Sequence, residues 1–397
     1  MIKRITRRQF LICLALVGAR TATGNISFAS VKKGACFSFA VLSDPHSTTD
    51  SWINALTEAR DLKINPPPEY GHPDFLLITG DTNPIDVNYE GYNTVFKSSD
   101  KKPIFLPVIG NHEADDSGGF PGMGPMGMGI GMPPQGQEGM QPGMGMPEGA
   151  GGPADQGGQS GMGGPQDMGR GSDGTMTRAP GNPQGRYPDI GDKSIIDMEF
   201  IRDKIISSIP GIVRISENSC TYYYDHENIR VISVDAYSGE AGTGGVIDDN
   251  GRKWTEDAIK SAPSSIDHIF IAFHAPAFPR VRHTHDSFNA DPEQRNAFWN
   301  MLVSHKDKVK AAFCGHSHHY ARMRVLDPAG TAANDLNAYP DEEGGIYHID
   351  SGSTGNGRKN TFVRVMIEGK NIYFRAYEAE NGKDKPFALK DEWGIIK

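Results

Sequence analysis

Cysteine is scarce in this chain: four among 397 residues, spread too widely to form a framework of stapled loops, so a small disulfide scaffold is excluded. Three of them follow the N-terminal segment. Cys314, inside the apolar run before Gly315, reads as a buried core thiol, while a Cys36 to Cys220 pair is allowed but not required. Long apolar runs are lacking as well. Residues 10–17 are apolar but too few to cross a bilayer, and no other stretch is longer and equally apolar. Positive charge is also in short supply, with 40 Lys and Arg against 49 Asp and Glu and a net charge of −9. Broad binding to a nucleic-acid polymer or an anionic membrane is disfavoured, since either needs clustered cations. Small anionic substrates remain open, because ions bound in a cleft reverse the local field.

Two segments stand apart from the rest by composition. Lys3, Arg4, Arg7 and Arg8 precede the short apolar stretch, and Thr6-Arg7-Arg8-Gln9-Phe10-Leu11 resembles a twin-arginine export signal. A basic tail or an ordinary secretory signal is the plainer reading of the same residues. Small residues around Ser27-Phe28-Ala29 suit a signal peptidase, so residues 1–29 are expected to be an export signal read by the twin-arginine machinery. The mature protein is then periplasmic or secreted, with no stable membrane span. Loss of five basic and no acidic residues takes its charge from −9 to −14. The second segment runs over 118–185, where 24 of 68 residues are Gly, 10 are Pro and 10 are Met. Such a stretch buries too little apolar surface to offset its ordering entropy, and it is expected to be a disordered insertion in one domain covering 30–397.

About 300 residues remain, ample for one large α/β core. Strand patterns fall at 37–43, 74–79, 104–109, 221–225, 230–235, 268–273, 311–314, 346–349, 362–368 and 371–378, the last two around the turn pair Gly369-Lys370. Helical patterns fall at 51–62, 195–209, 254–262 and 291–305, where Asp291 is placed to cap and Pro292 to open the first turn. Strands and helices alternate early and again in the third quarter, while strands pair locally at the end. This order predicts an α/β fold, a two-sheet sandwich flanked by helices in four layers.

Five clusters carry the chemistry: Asp44-Pro45-His46, Gly80-Asp81, Gly110-Asn111-His112-Glu113, His274 and Gly315-His316-Ser317-His318. Each follows a strand-like run, so a parallel sheet would line them along one edge, where two divalent cations fit among mixed oxygen and nitrogen ligands. Singly, each is weak. An Asp after a strand is usually a turn or helix cap, an Asn-His pair a polar turn, and His274 a satisfied polar residue. The two histidines at 316 and 318, read as an extended segment, would point the same way toward one ion or two neighbouring ions. It is the series of five that argues for metal chemistry.

Together the five blocks resemble the calcineurin-like metallophosphoesterase superfamily, whose order is Asp-x-His, Gly-Asp, Gly-Asn-His-Asp/Glu, a lone His and Gly-His-x-His; here they span residues 44 to 318. The resemblance implies that Asp44, His46 and His318 hold one ion, that Asn111, His274 and His316 hold the other, and that Asp81 bridges them. It implies further that His112 acts on the phosphate oxygen or the leaving group. Two ions so held, divalent or mixed-valence and drawn from Mn, Fe, Zn or Co, would turn a bridging water into hydroxide and hydrolyse a small phosphate mono- or diester. Pro84 stands where purple acid phosphatases have a tyrosine and phosphoprotein phosphatases an aspartate, which argues against a tyrosinate site and leaves no orienting partner for His112 in the sequence. Arg280, Arg282, His283 and His285 follow His274 and are candidates for substrate phosphate or for a plain solvated loop. The competing class is a non-enzymatic metal- or partner-binding module whose Met-rich loop collects soft ions such as Cu(I).

Overall fold

The computed structural model describes residues 36–47, 49–61, 71–99, 102–114, 193–333, 339–355 and 357–396. The expected export signal and the Gly/Pro/Met-rich insertion lie outside these residues.

Strand β1 (Cys36–Leu42) is buried from Phe37 onward on both of its faces, which is why its sequence runs apolar without alternating. Helix α1 (Thr49–Asp61) returns the chain by burying Trp52, Ala55, Leu56 and Ala59 at helical spacing. Strands β2 (Phe75–Ile78) and β3 (Ile104–Pro107) then lie parallel to β1 in sequence order, with α2 (Ile85–Val95) between them. On the other side of β1 the sheet is completed by β13 (Asn360–Glu368), β14 (Asn371–Ala379) and β15 (Ala388–Ile395), all antiparallel, in the order β15-β14-β13-β1-β2-β3. Gly369, with a φ of 57°, closes the β13–β14 hairpin where the turn pair predicts it.

The second sheet carries β4 (Val213–Arg214), β5 (Tyr222–His226), β6 (Ile229–Ser233), β9 (His268–Ala272), β10 (Val309–Cys314), β11 (Tyr320–Val325) and β12 (Ile346–Ser351). Its order is β11-β12-β10-β9-β6-β5-β4, and β6, β9, β10 and β12 run parallel. A two-residue pair, β7 (Gly242–Thr243) with β8 (Val246–Ile247), stands separately. Helices α5 (Asp249–Lys260) and α6 (Pro292–Ser304) cover the outer face, packing Ile259, Phe298 and Trp299 against Ile271 and Phe273. Asp291 caps α6 by accepting from the Gln294 N–H, as its place before Pro292 predicts.

Between the sheets Phe39 stacks on Phe75 at 4.5 Å and meets Phe270 and Phe313 edge-on at 5.3 Å and 6.3 Å. These rings join both sheets into one core, so replacing Phe39 by Ala would cost about 3–5 kcal/mol. The architecture is the helix-flanked two-sheet sandwich expected. Some elements differ. The helix expected over 195–209 is α4 (Lys193–Phe200) continued by a π turn at Ile201–Ile205 and a 3-10 turn at Ile206–Ser208, ending before Pro210. Two short helices, α3 (Asn111–Ala114) and α7 (Pro328–Ala333), were not legible at all. Cys314 is buried as expected, and Cys220 is a buried free thiol, so the allowed pairing with Cys36 is not made.

Candidate metal centre

The five clusters do not share one sheet edge. Asp44, Asp81 and Asn111 follow β1, β2 and β3 of the first sheet, whereas His274, His316 and His318 follow β9 and β10 of the second. The carboxyl ends of both parallel sets meet, and the ligands approach from two sides. Hydrogen bonds tie the first set together: the Asp44 N–H donates to the Gly80 carbonyl at 3.1 Å and the His46 N–H to the Asp81 carbonyl at 3.2 Å. Others cross between the sheets, where the Asp44 carboxylate accepts the His316 N–H at 3.0 Å.

Asp44, His46, Asp81, His316 and His318 all have positive φ, between 44° and 68°. A side chain in that left-handed region is costly by about 1–3 kcal/mol and persists only where its surroundings dictate it. The expected extended geometry at His316 and His318 is therefore corrected. Left-handed turns at both positions send the rings to different partners instead of side by side.

One group comprises Asp44, His46, Asp81 and His318. In it the Nε2 atoms of His46 and His318 face each other at 3.2 Å, His318 Nε2 lies 3.2 Å from Asp44 Oδ1, and His46 Nε2 lies 3.6 Å from Asp81 Oδ2. The second group comprises Asp81, His274 and His316. There His274 Nε2 is 3.3 Å from Asp81 Oδ2 and 3.1 Å from Asn111 Oδ1, so Asn111 belongs to it too. Asp81 is the member common to both.

The His274 ring is held by its Nδ1 on the Thr79 carbonyl at 2.7 Å, which leaves Nε2 to face the carboxylates. Burial works to discharge this imidazole, yet Asp81 and Asp44 pull a proton onto it and hold it at about 10. For Asp81 burial is likewise the largest influence and acts upward, but His274 and the other rings keep the carboxyl below its ordinary value. Burial opposes ionisation of Asp44 too, and His318 and His274 outweigh it. Burial pushes His316 down to about 3, assisted by the charge on His274 and then by His283.

His112 sits at the rim with its side chain half exposed, its Nε2 3.9 Å from Asp81 Oδ2 and its ring edge-on to His46 at 4.7 Å. Its backbone N–H donates to Asp81 Oδ1 at 3.0 Å. Beneath it Glu113, fully buried, accepts the N–H groups of Gly110 at 2.7 Å and Asp81 at 3.0 Å through one oxygen. Burial, and then the nearby charge of Asp81, pushes this carboxyl up to about 8. Glu113 was visible in its motif, but only the structure gives it a task. Asp350 has no local signature: it follows the motif by more than thirty residues and accepts from the Ser317 hydroxyl between the two histidines.

The loop after His274 divides. Arg280 is buried, with its guanidinium on the Thr331 carbonyl at 3.2 Å, so it is removed from the phosphate candidates. Arg282 is exposed and donates to His318 Nδ1 at 2.7 Å, and the His283 ring lies 4.0 Å from that of His316. No such placement is visible for His285.

Comparison of the sequence with family models and with curated proteins gave no match. Solved structures do match. PhoD superposes with a TM-score of 0.50 at 9% identity over 91% of this chain and 69% of that one. A purple acid phosphatase from yellow lupin (Lupinus luteus) seeds gives 0.49 at 12% identity over 91% of this chain, which spans about half, 53%, of the lupin protein. A dimetal phosphatase from Danio rerio gives 0.49 at 11% identity over 91% and 98%. The fold, two mixed sheets flanked by helices, is one it shares with PhoD.

Within this fold the residues form a set that suits ions by its own chemistry. Two fully buried carboxylates stand among converging ring nitrogens, and His274 draws a proton to supply the positive charge that they lack. Two imidazole nitrogens facing each other at 3.2 Å share at most one proton between them, an arrangement that a cation relieves. The donors, imidazole with carboxylate and amide oxygen, fit Mn, Fe, Co and Zn alike.

Proposed function

We propose that this protein is a metal-dependent hydrolase of phosphoric esters. Asp44, His46 and His318 would hold one divalent cation, Asn111, His274 and His316 the other, and Asp81 both. The observation that carries this reading is the position of Asp81, whose Oδ2 lies 3.6 Å from His46 Nε2 and 3.3 Å from His274 Nε2, between the two groups. When bound, such a pair supplies a hydroxide nucleophile near neutral pH and neutralises charge on the phosphoryl group.

The remaining work falls to the chain. His112, at the rim, hands a proton to the departing alkoxide, and its backbone tie to Asp81 Oδ1 keeps that donor in register with the ligand. Asp81 Oδ2 lies 3.9 Å from His112 Nε2, within ion-pair reach but beyond hydrogen-bond distance. Glu113 fixes the backbone of Gly110 and Asp81. Arg282, exposed at the mouth beside His318 Nδ1, would turn from that nitrogen, which carries the proton once Nε2 holds an ion, and present its guanidinium to an anionic substrate. The acidic composition disfavours long polyanions, so the substrate is a small phosphate ester. Export of the mature chain belongs to the same proposal, and N-terminal sequencing of the extracytoplasmic form for a start near Ser30 checks it.

The test is hydrolysis of p-nitrophenyl phosphate, its bis ester and a nucleotide panel, with Mn²⁺ or Zn²⁺, alongside Asp81→Asn and elemental analysis of the protein as purified. Metal-dependent turnover lost in Asp81→Asn is expected. A fully loaded protein that turns over none of these esters would instead favour a binding module.

A further inference from the structure

Apart from the pair, one more set of ligating side chains converges among the described residues. His283, Asp286 and His316 bring their ligand atoms within 4.8 Å of one another. We propose that they form a third cation site at the mouth of the centre, which shares the His316 ring with the pair.

His316 makes the sharing feasible. A neutral imidazole offers one nitrogen lone pair, so one ring serves two ions only as imidazolate, its N–H proton passing to solvent when the second ion binds. The ring is buried, at 6% exposure, and its Nε2 makes no hydrogen bond. A buried polar atom without a partner is rare in folded proteins and calls for an explanation such as an ion. His283 is the second donor: its ring lies 4.0 Å from that of His316 at an interplanar angle of 35°, and its backbone is left-handed with a φ of 55°. That conformation is stabilised where the Ser287 hydroxyl donates to the His283 carbonyl at 2.9 Å. Asp286 is the third, with Oδ2 2.8 Å from His283 Nδ1 and a side chain half open to solvent. An ion entering here would replace the shared proton between these two.

Two imidazoles and one carboxylate make the set used for zinc or cobalt where a fourth position stays open. Facing solvent, that position can take water or an oxygen of an anionic ligand. The three residues are spread over two loops, His283 and Asp286 after β9 and His316 after β10, so the site depends on the tertiary fold. This inference goes beyond the proposed hydrolysis and does not require it, since it concerns how many ions bind.

Zinc titration of the metal-stripped full chain, followed by dialysis and elemental analysis, tests it. The native protein is expected to hold three equivalents, and Asp286→Ala and His283→Ala each two. Cobalt should add a third increment of visible absorption that both variants lose. Saturation of the native protein at two equivalents, or three retained in both variants, would overturn the proposal. Asp81→Asn separates the two ideas. If it keeps one zinc that the further change Asp286→Ala removes, the mouth site stands whatever becomes of the pair.

Discussion

At the level of single residues, His112 and His348 show how position sets the role of an imidazole. His112 is half exposed beside Asp81, where a proton donor is needed only to the extent that the leaving group is basic. His112→Asn is therefore expected to slow hydrolysis of an alkyl phosphate by about 10² to 10⁴, and that of p-nitrophenyl phosphate far less. Equal losses on both esters in steady-state assays would rule out the proton-donor role. His348 lies in the apolar layer between the rings of Phe278 and Trp299, and its Nε2 accepts the Ala277 N–H at 3.2 Å. Burial, and then the charge of Arg280, pushes it down to about 3. The folded protein thus keeps it neutral while the unfolded chain takes up a proton near pH 6.5. Its contribution to stability is whole above that pH and falls away as the pH drops toward about 3. Between pH 7 and pH 5 the native protein should lose about 2 kcal/mol more than His348→Gln in urea unfolding. The seven candidate ligands were legible because each lies in a short local cluster after an apolar run. His283 and Asp286 were not, because their partner His316 is some thirty residues away and only the parallel arrangement of β9 and β10 brings them together.

Elements were legible where burial makes a pattern. β1, β2, β9 and β10 are buried at every or nearly every position and read as apolar runs, interrupted only by Ser38, His268 and Lys310. α2 was hidden because Ile85–Val95 mixes β-branched and aromatic residues with Asn88 and Gly91, all modest or poor helix formers; it is held by burying Ile85, Tyr92 and Val95. β15 was hidden for another reason, as an edge strand whose Lys390, Asp391 and Glu392 break the alternation. The turn between β10 and β11 is a different kind of element, fixed by side chains. Ser317 donates to the buried Asp350 at the end of β12, and that carboxylate also accepts the Gly352 N–H at 3.2 Å. Ser317→Ala should leave the fold intact but weaken metal affinity by about 10- to 100-fold, as loss of an outer-sphere partner does. Competition with a chromogenic chelator measures it, and an unchanged affinity would show that the turn holds itself.

For the whole molecule, ions that bind only the folded state add to its stability. At a free concentration a thousand times the dissociation constant each site contributes about 4 kcal/mol. Stripping with a chelator should lower the thermal midpoint by several degrees, and excess Mn²⁺ or Zn²⁺ should restore it fully in the native protein but only in part, through the mouth site, in Asp81→Asn. A midpoint indifferent to chelator would mean that the two groups hold no ion tightly.

Phe39, Phe270 and Phe313 sit on β1, β9 and β10, the strands that lead to Asp44, His274 and His316. The rings thus work as shims: thinning or thickening that layer alters the gap that a cation of given radius must bridge. Swaps at these distant aromatics are then a way to retune which metal the protein prefers without altering any atom that coordinates it.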